Sequence, residues 1–172
     1  MKIYPYKGHV PSIDPFAFIA DGVVITGDVT IEEDASIWFN TVIRGDVAPT
    51  IIEKSVNVQD NCTLHQSPDL PLILREGVTV GHQCILHSCL VKKNALIGMG
   101  STIMDGAEIG EGAFIGAGSL VPPGKTIPPN KLALGRPAKV VRDLSDADLA
   151  DMKRIRDSYV DKGKYYKSLV DE

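Results

Sequence analysis

Only four histidines occur in the 172 residues, and three of them, His65, His82 and His87, fall within one short window. A neutral imidazole offers a ring nitrogen to a divalent metal. Three imidazoles with water in the fourth position form the open, catalytic kind of zinc site, whereas four thiolates form a closed structural one. The plainer explanation is three solvated histidines on a polar face. The choice between them depends on what brings the three residues together. Other polar groups stand nearby: Arg44 and Asp46, then Gln59 and Asp60. The three cysteines, Cys62, Cys84 and Cys89, lack CxxC spacing and make neither a disulfide framework nor a zinc knuckle. Cys62 and Cys84 read as small core residues, and Cys89 as a weak thiolate candidate two residues after His87. His9 lies outside this window and stays unassigned.

The positioning elements are visible as a repeat. Aliphatic residues recur every six positions: Ile13, Ile19, Ile25, Ile31, Ile37, Ile43, then Ile52, Val58, Leu64, then Leu74, Val80, Leu86, then Val91, Ile97, Ile103, Ile109, Ile115, Val121. Four residues after nearly every one stands a small or β-branched side chain, from Ala17, Val23 and Val29 through Val47 and Cys62 to Ala113 and Ser119. A period of six fits neither a helix nor plain strand alternation. It fits a short strand plus a turn. The pattern resembles the hexapeptide-repeat family, whose fold is a left-handed parallel β-helix with three strands per coil. That handedness runs against the usual crossover rule and is carried by the resemblance alone. The expected fold is therefore all-β, about six triangular coils with a C-terminal α-helix packed alongside. Residues 1–137 would form the β-helix with its lead-in, and 138–172 the helical region of the same structural domain. The phase slips after Ile43 and Leu64 are expected to be loops, and the Pro/Gly-rich stretch after Val121 to end the strands. Ser145 reads as a helix cap. Leu149, Met152, Ile155, Tyr159 and Tyr166 form an apolar stripe that would dock on the prism.

Stacking the coils places residues in columns. Column one holds the series from Ile13, column two that from Ile19 and column three that from Ile25. The residue after each column-three position points outward, so Arg44, His65 and His87 stand above one another at a spacing of about 4.8 Å. Two imidazoles at that spacing can share a tetrahedral metal with Zn–N bonds of about 2.0–2.1 Å. His82 sits on column two, near another edge. If subunits pack in a threefold ring, His82 of one chain can face His65 and His87 of the next, with an open fourth position.

The composition narrows the partners. A formal net charge of −4 argues against nucleic acid or an anionic membrane as the main partner. No apolar run approaches the ~20 residues of a spanning helix. The start MKIYPYKGHVP has no apolar signal region, so the cytoplasm is the expected compartment.

The segments Ile43-Arg44-Gly45-Asp46, Asn57-Val58-Gln59-Asp60 with Leu64-His65, and Gly81-His82 with Leu86-His87 are similar to the gamma-class carbonic anhydrases, in particular the bacterial ferripyochelin-binding-protein-like branch. The resemblance spans nearly the whole chain. It implies a homotrimer with one metal per subunit interface, His65 and His87 coming from one chain and His82 from its neighbour. It also implies zinc and reversible hydration of CO2 to bicarbonate by a zinc-bound hydroxide; three imidazoles would equally accept Fe(II) or Co(II). Gln59 matches the residue that hydrogen-bonds the bound water and substrate. Arg44 matches a residue that holds the bicarbonate anion or pairs with Asp46 across the interface. Asp60, one coil from His82 at the same offset, is placed to orient its ring. Asn57 reads as a turn residue.

The chain also departs from the family. Two glutamates that relay protons in the best-characterised members are absent: Val47 stands at one position and Gln66-Ser67-Pro68 occupies the other. No evident side chain exports the proton, Asp69 being the nearest substitute. Two other functions compete. A hexapeptide acyltransferase, which would need one histidine base and no metal, is one alternative, with an acyl-CoA thioesterase beside it. A non-enzymatic metal or metal-chelate (siderophore) binding protein would hold metal without hydrating CO2.

Overall fold

A computed structural model describes residues 1–170. The chain winds as a triangular, left-handed parallel β-solenoid of about seven turns, closed by one helix, Asp146–Val170. The hexad register is reproduced in all three columns. Ile13 pairs with Ile31, then Ile52, Leu74, Val91 and Ile109 in column one. Ile19, Ile37, Val58, Val80, Ile97 and Ile115 stack in column two. Ile25, Ile43, Leu64, Leu86, Ile103 and Val121 stack in column three. The array exceeds the expected six coils at both ends. Ile127 and Ala133 continue columns one and two, so the Pro/Gly stretch turns the chain without ending it. Ile3 pairs below Ile25 in column three.

The repeat works because each hexad buries two side chains and turns on a third residue. From Ile25 to Ile115 the periodic aliphatics are buried; Ile13 and Ile19, at the open end, are only partly covered. The residue three after each column-two position has positive φ: Gly22, Asn40, Asn61, Gln83, Gly100 and Gly118. Glycine and asparagine tolerate that left-handed geometry best, so most of these corners carry them. The small residue that follows then points inward.

Val47 breaks this rule. The slip after Ile43 is no loop but part of one long strand, Val42–Ile52, which bends around the corner beside Val24–Ile31. Gly27 pairs with Gly45, yet Val29 pairs with Thr50, so residues 46–49 bulge out. Val47 is thereby exposed, and Ala48 and Thr50 fill the interior instead. Here glycine is required by contact. A Cβ on Gly45 would lie 2.4 Å from the Asp28 carbonyl oxygen, and one on Gly27 would lie 2.2 Å from that of Gly45. The slip after Leu64 is a loop, as expected, bridged from Ser67 to Leu70.

At the C-terminal end, Lys131–Gly135 and Ala138–Asp143 form an antiparallel hairpin before the helix. The Asp148 N–H donates to Ser145 Oγ at 3.2 Å and the Ser145 N–H donates to Asp148 Oδ2 at 2.7 Å, a reciprocal cap. The helix lies on the column-two face. Met152 is buried, Ile155 and Tyr159 are half-buried, and Leu149 is largely exposed, outside the docked stripe. Trp38 meets Phe18, Tyr159 and Tyr166 at centroid distances of 5.2, 5.3 and 5.5 Å, so much of the aromatic content fastens the helix. No helix among the described residues is long and apolar enough to cross a membrane.

Candidate metal centre

His65 and His87 are directly paired neighbours in column three, each one residue past a buried leucine. His65 Nδ1 and His87 Nε2 stand 3.0 Å apart, and the ring centroids are 5.1 Å apart. The outer nitrogens are held by carboxylates. His65 Nε2 lies 3.1 Å from Asp46 Oδ1, and His87 Nδ1 lies 2.6 Å from Asp105 Oδ1. His82, on column two, makes the same arrangement: its Nδ1 is 2.7 Å from Asp60 Oδ2. Each of the three histidines therefore has one ring nitrogen engaged by a carboxylate, which fixes the ring and directs the other nitrogen elsewhere.

The carboxylates are themselves anchored. Desolvation raises the Asp46 carboxyl, but hydrogen bonds from Arg44 and His65 outweigh it and hold Asp46 below its ordinary value. The Arg44–Asp46 pair, at 2.8 Å, closes within one chain. Asp105 is held low first by the Ser67 hydroxyl, at 2.5 Å, and then by His87. Buried Gln66 ties the bulge to the strand beside it, its amide nitrogen donating to the carbonyls of Arg44 (2.8 Å) and Ala48 (3.0 Å).

Gln59 is buried on column two, one residue from Asp60. Its Nε2 donates to Asn57 Oδ1 at 3.1 Å, and Asn57 Nδ2 donates to Thr79 Oγ1 at 2.9 Å. Asn57 is therefore a buried strand residue that holds Gln59, not the turn residue its type suggested. Beyond Gln59 lies an apolar cavity of about 330 Å³ under the helix, lined by Met99, Phe114, Met152 and Tyr159. Gly81 and Gly98 also line it, where successive coils stack closely. A Cβ on Gly81 would lie 2.6 Å from the Met99 nitrogen.

The donor set fits a zinc-like ion. Two Zn–N bonds at a tetrahedral angle separate their nitrogens by roughly 3.3 Å, a few tenths beyond the 3.0 Å between His65 Nδ1 and His87 Nε2. Within one chain, among the described residues, no group of three His, Cys, Asp or Glu side chains is placed to hold a metal ion. His82 is thus kept apart from the other two. Cys89 is interior, and burial pushes its thiol up to about 12, which sets it apart from the imidazoles. Cys62 and Cys84 are buried free thiols, their sulfurs directed at the Gly81 and Gly98 carbonyls. Asp105 and Ser67 were not foreseen. The signal was available: Asp105 lies one coil past His87, two residues after Ile103 of the same column.

Residues 88–123 match the family model described as bacterial transferase hexapeptide (six repeats). A carbonic anhydrase of Geobacillus kaustophilus is 72% identical over 167 residues, covering 97% of this chain and 92% of that protein. A Bacillus subtilis protein named as the uncharacterized transferase YtoA is 66% identical, covering 97% and 98%. A solved structure from Bacillus cereus that carries an acetyltransferase name superposes with a TM-score of 0.97 at 71% identity over 98% of both chains.

Proposed function

The chain belongs to the hexapeptide-repeat family of carbonic-anhydrase-like proteins, and on that premise we propose that it interconverts CO2 and bicarbonate at a three-histidine metal site shared between subunits of a homotrimer. The observation that carries this reading is the carboxylate behind each histidine: Asp46 on His65, Asp105 on His87 and Asp60 on His82. Solvated surface histidines need no such partners, whereas metal-bound histidines almost always have them. His65 and His87 of one subunit and His82 of its neighbour would hold Zn(II), with Fe(II) or Co(II) accepted by the same ligands. When bound, the ion supplies Lewis acidity that brings the ionisation of water into the neutral range. Neutral imidazoles leave its positive charge undiminished. Gln59, fixed by Asn57, donates or accepts a hydrogen bond at the reacting water. Arg44, exposed beside Asp46, presents a guanidinium to the bicarbonate product. The soluble cytoplasmic setting expected from the sequence belongs to the same proposal.

The apolar cavity beside Gln59 favours one competing reading, acyl transfer or thioester hydrolysis, in line with the transferase names among the relatives. Stopped-flow CO2 hydration on protein reloaded anaerobically with Zn(II) or Fe(II), beside His65→Ala, separates the two. Hydration that disappears in the variant supports the proposal. Bound metal without hydration above the variant overturns it and directs attention to thioester substrates.

A further inference from the structure

Hydration of CO2 releases a proton at every turnover; Val47 carries no titratable side chain to take it, and the loop from Gln66 offers only the exposed carboxylate of Asp69. We propose that His9 is the proton-exit residue of this site, an inference that rests on the hydration reading above.

The N-terminal segment is built to place this ring. Lys2–Tyr4 pairs with Val24–Thr26 on the column-three face. A tight reversal follows: the Tyr6 N–H donates to the His9 carbonyl and the His9 N–H to the Tyr6 carbonyl, both at 2.9 Å. Lys7 and Gly8 take φ of 47° and 87° between them. His9 then lies over the bulge, its Nδ1 3.7 Å from Asp28 Oδ2. A polar cavity of about 370 Å³ opens there, lined by Tyr6, Lys7, His9, Asp28, Asp46 and Val47. Its inner wall is Asp46, which touches His65; its outer wall is His9, more than half exposed to solvent. The cavity thus sets His9 across from the carboxylate that holds the His65 ring.

The chemistry selects His9 among the groups that face this space. Imidazole is the side-chain type suited to proton exchange at neutral pH, and His9 is the imidazole in this lining. In the step, CO2 and water give bicarbonate and a proton. The proton moves through cavity waters to the free lone pair of the His9 ring and leaves to buffer from the imidazolium, with no oxidant or second substrate. Three hydrogen-bonded waters bridge roughly 11 Å.

The test uses the metal-loaded protein with His9→Ala and His9→Gln, both changes at an exposed hairpin position. In dilute buffer, kcat is expected to fall by about tenfold or more in both variants while kcat/KM is kept, and added imidazole restores it. In Co(II)-loaded wild type, paramagnetic relaxation of the His9 ring protons should place the ring within roughly 11 Å of the ion, the reach of that water relay. An unchanged kcat in dilute buffer, or a ring beyond that reach, overturns the role of His9 and leaves the hydration reading intact. Metal-loaded wild type without hydration overturns both.

Discussion

A mixed-subunit experiment tests the shared site most directly. His65 and His87 stand on column three, and His82 on column two. His82→Ala subunits keep an intact column-three pair, and His65→Ala subunits keep an intact His82. Neither homotrimer has one complete ligand set. In the proposed threefold ring each His65–His87 pair would meet the His82 of one neighbour. Random one-to-one mixing then makes the ordered pair complete at about one interface in four, since each partner is right half the time. Co-expression of the two variants with different tags, a chelator wash and metal analysis should give about a quarter of the wild-type metal content and hydration rate. Both parents should lie near zero. The substitutions suit the purpose because the His82 side chain is 42% exposed and core contacts are untouched. Mixed trimers that stay at the level of their parents would refute the cross-subunit arrangement. So would a His82→Ala homotrimer that retains full metal content.

Three further outcomes follow from geometry. Asp105→Asn should weaken Zn(II) binding about 10- to 100-fold in a competitive chelator titration, the usual effect of losing the carboxylate behind a ligating histidine. Gly45→Ala forces a Cβ against the Asp28 carbonyl and should cost about 1–3 kcal/mol in denaturant unfolding. Asp148 is held well below the ordinary carboxylate range by Arg142 and then Ser145, so its contribution is fully present above about pH 4 and is lost as pH falls through the lower folded value. Asp148→Asn should therefore lower the thermal midpoint at pH 7 and lose its effect toward strongly acidic pH.

Column membership was legible in the sequence because a short hexad leaves the chain little freedom. A buried aliphatic, a left-handed corner and a small inward residue fix one another, and the stacking of His65 on His87 follows. The corner at residues 44–50 was not legible. A slip of three residues can be absorbed by a loop or by a bulged strand, and the choice rests on the Gly27–Gly45 backbone contact, which no periodicity reports. Val47 moves to the surface and Asp46 turns to His65 as a result. Asp105, in the segment Met104-Asp105-Gly106, has the composition of a turn. Its value to His87 depends on side-chain reach across coils. Asn57 likewise has a turn-forming type, but its strand position and contact with Thr79 make it a support for Gln59.

The hairpin of Lys131–Gly135 and Ala138–Asp143 has a consequence for solubility. A parallel solenoid ends in open strands whose amides and carbonyls can template another copy, coil upon coil, into a fibre. Here the last column-two strand is met by a segment running the opposite way, with a register shift between Leu132 and Ala133, and with Lys139, Arg142 and Asp143 along it. An antiparallel, irregular and charged edge does not match the parallel ladder of an incoming coil. A chain cut after Ile127 would lose this guard and present an apolar, parallel edge primed for end-to-end polymerisation.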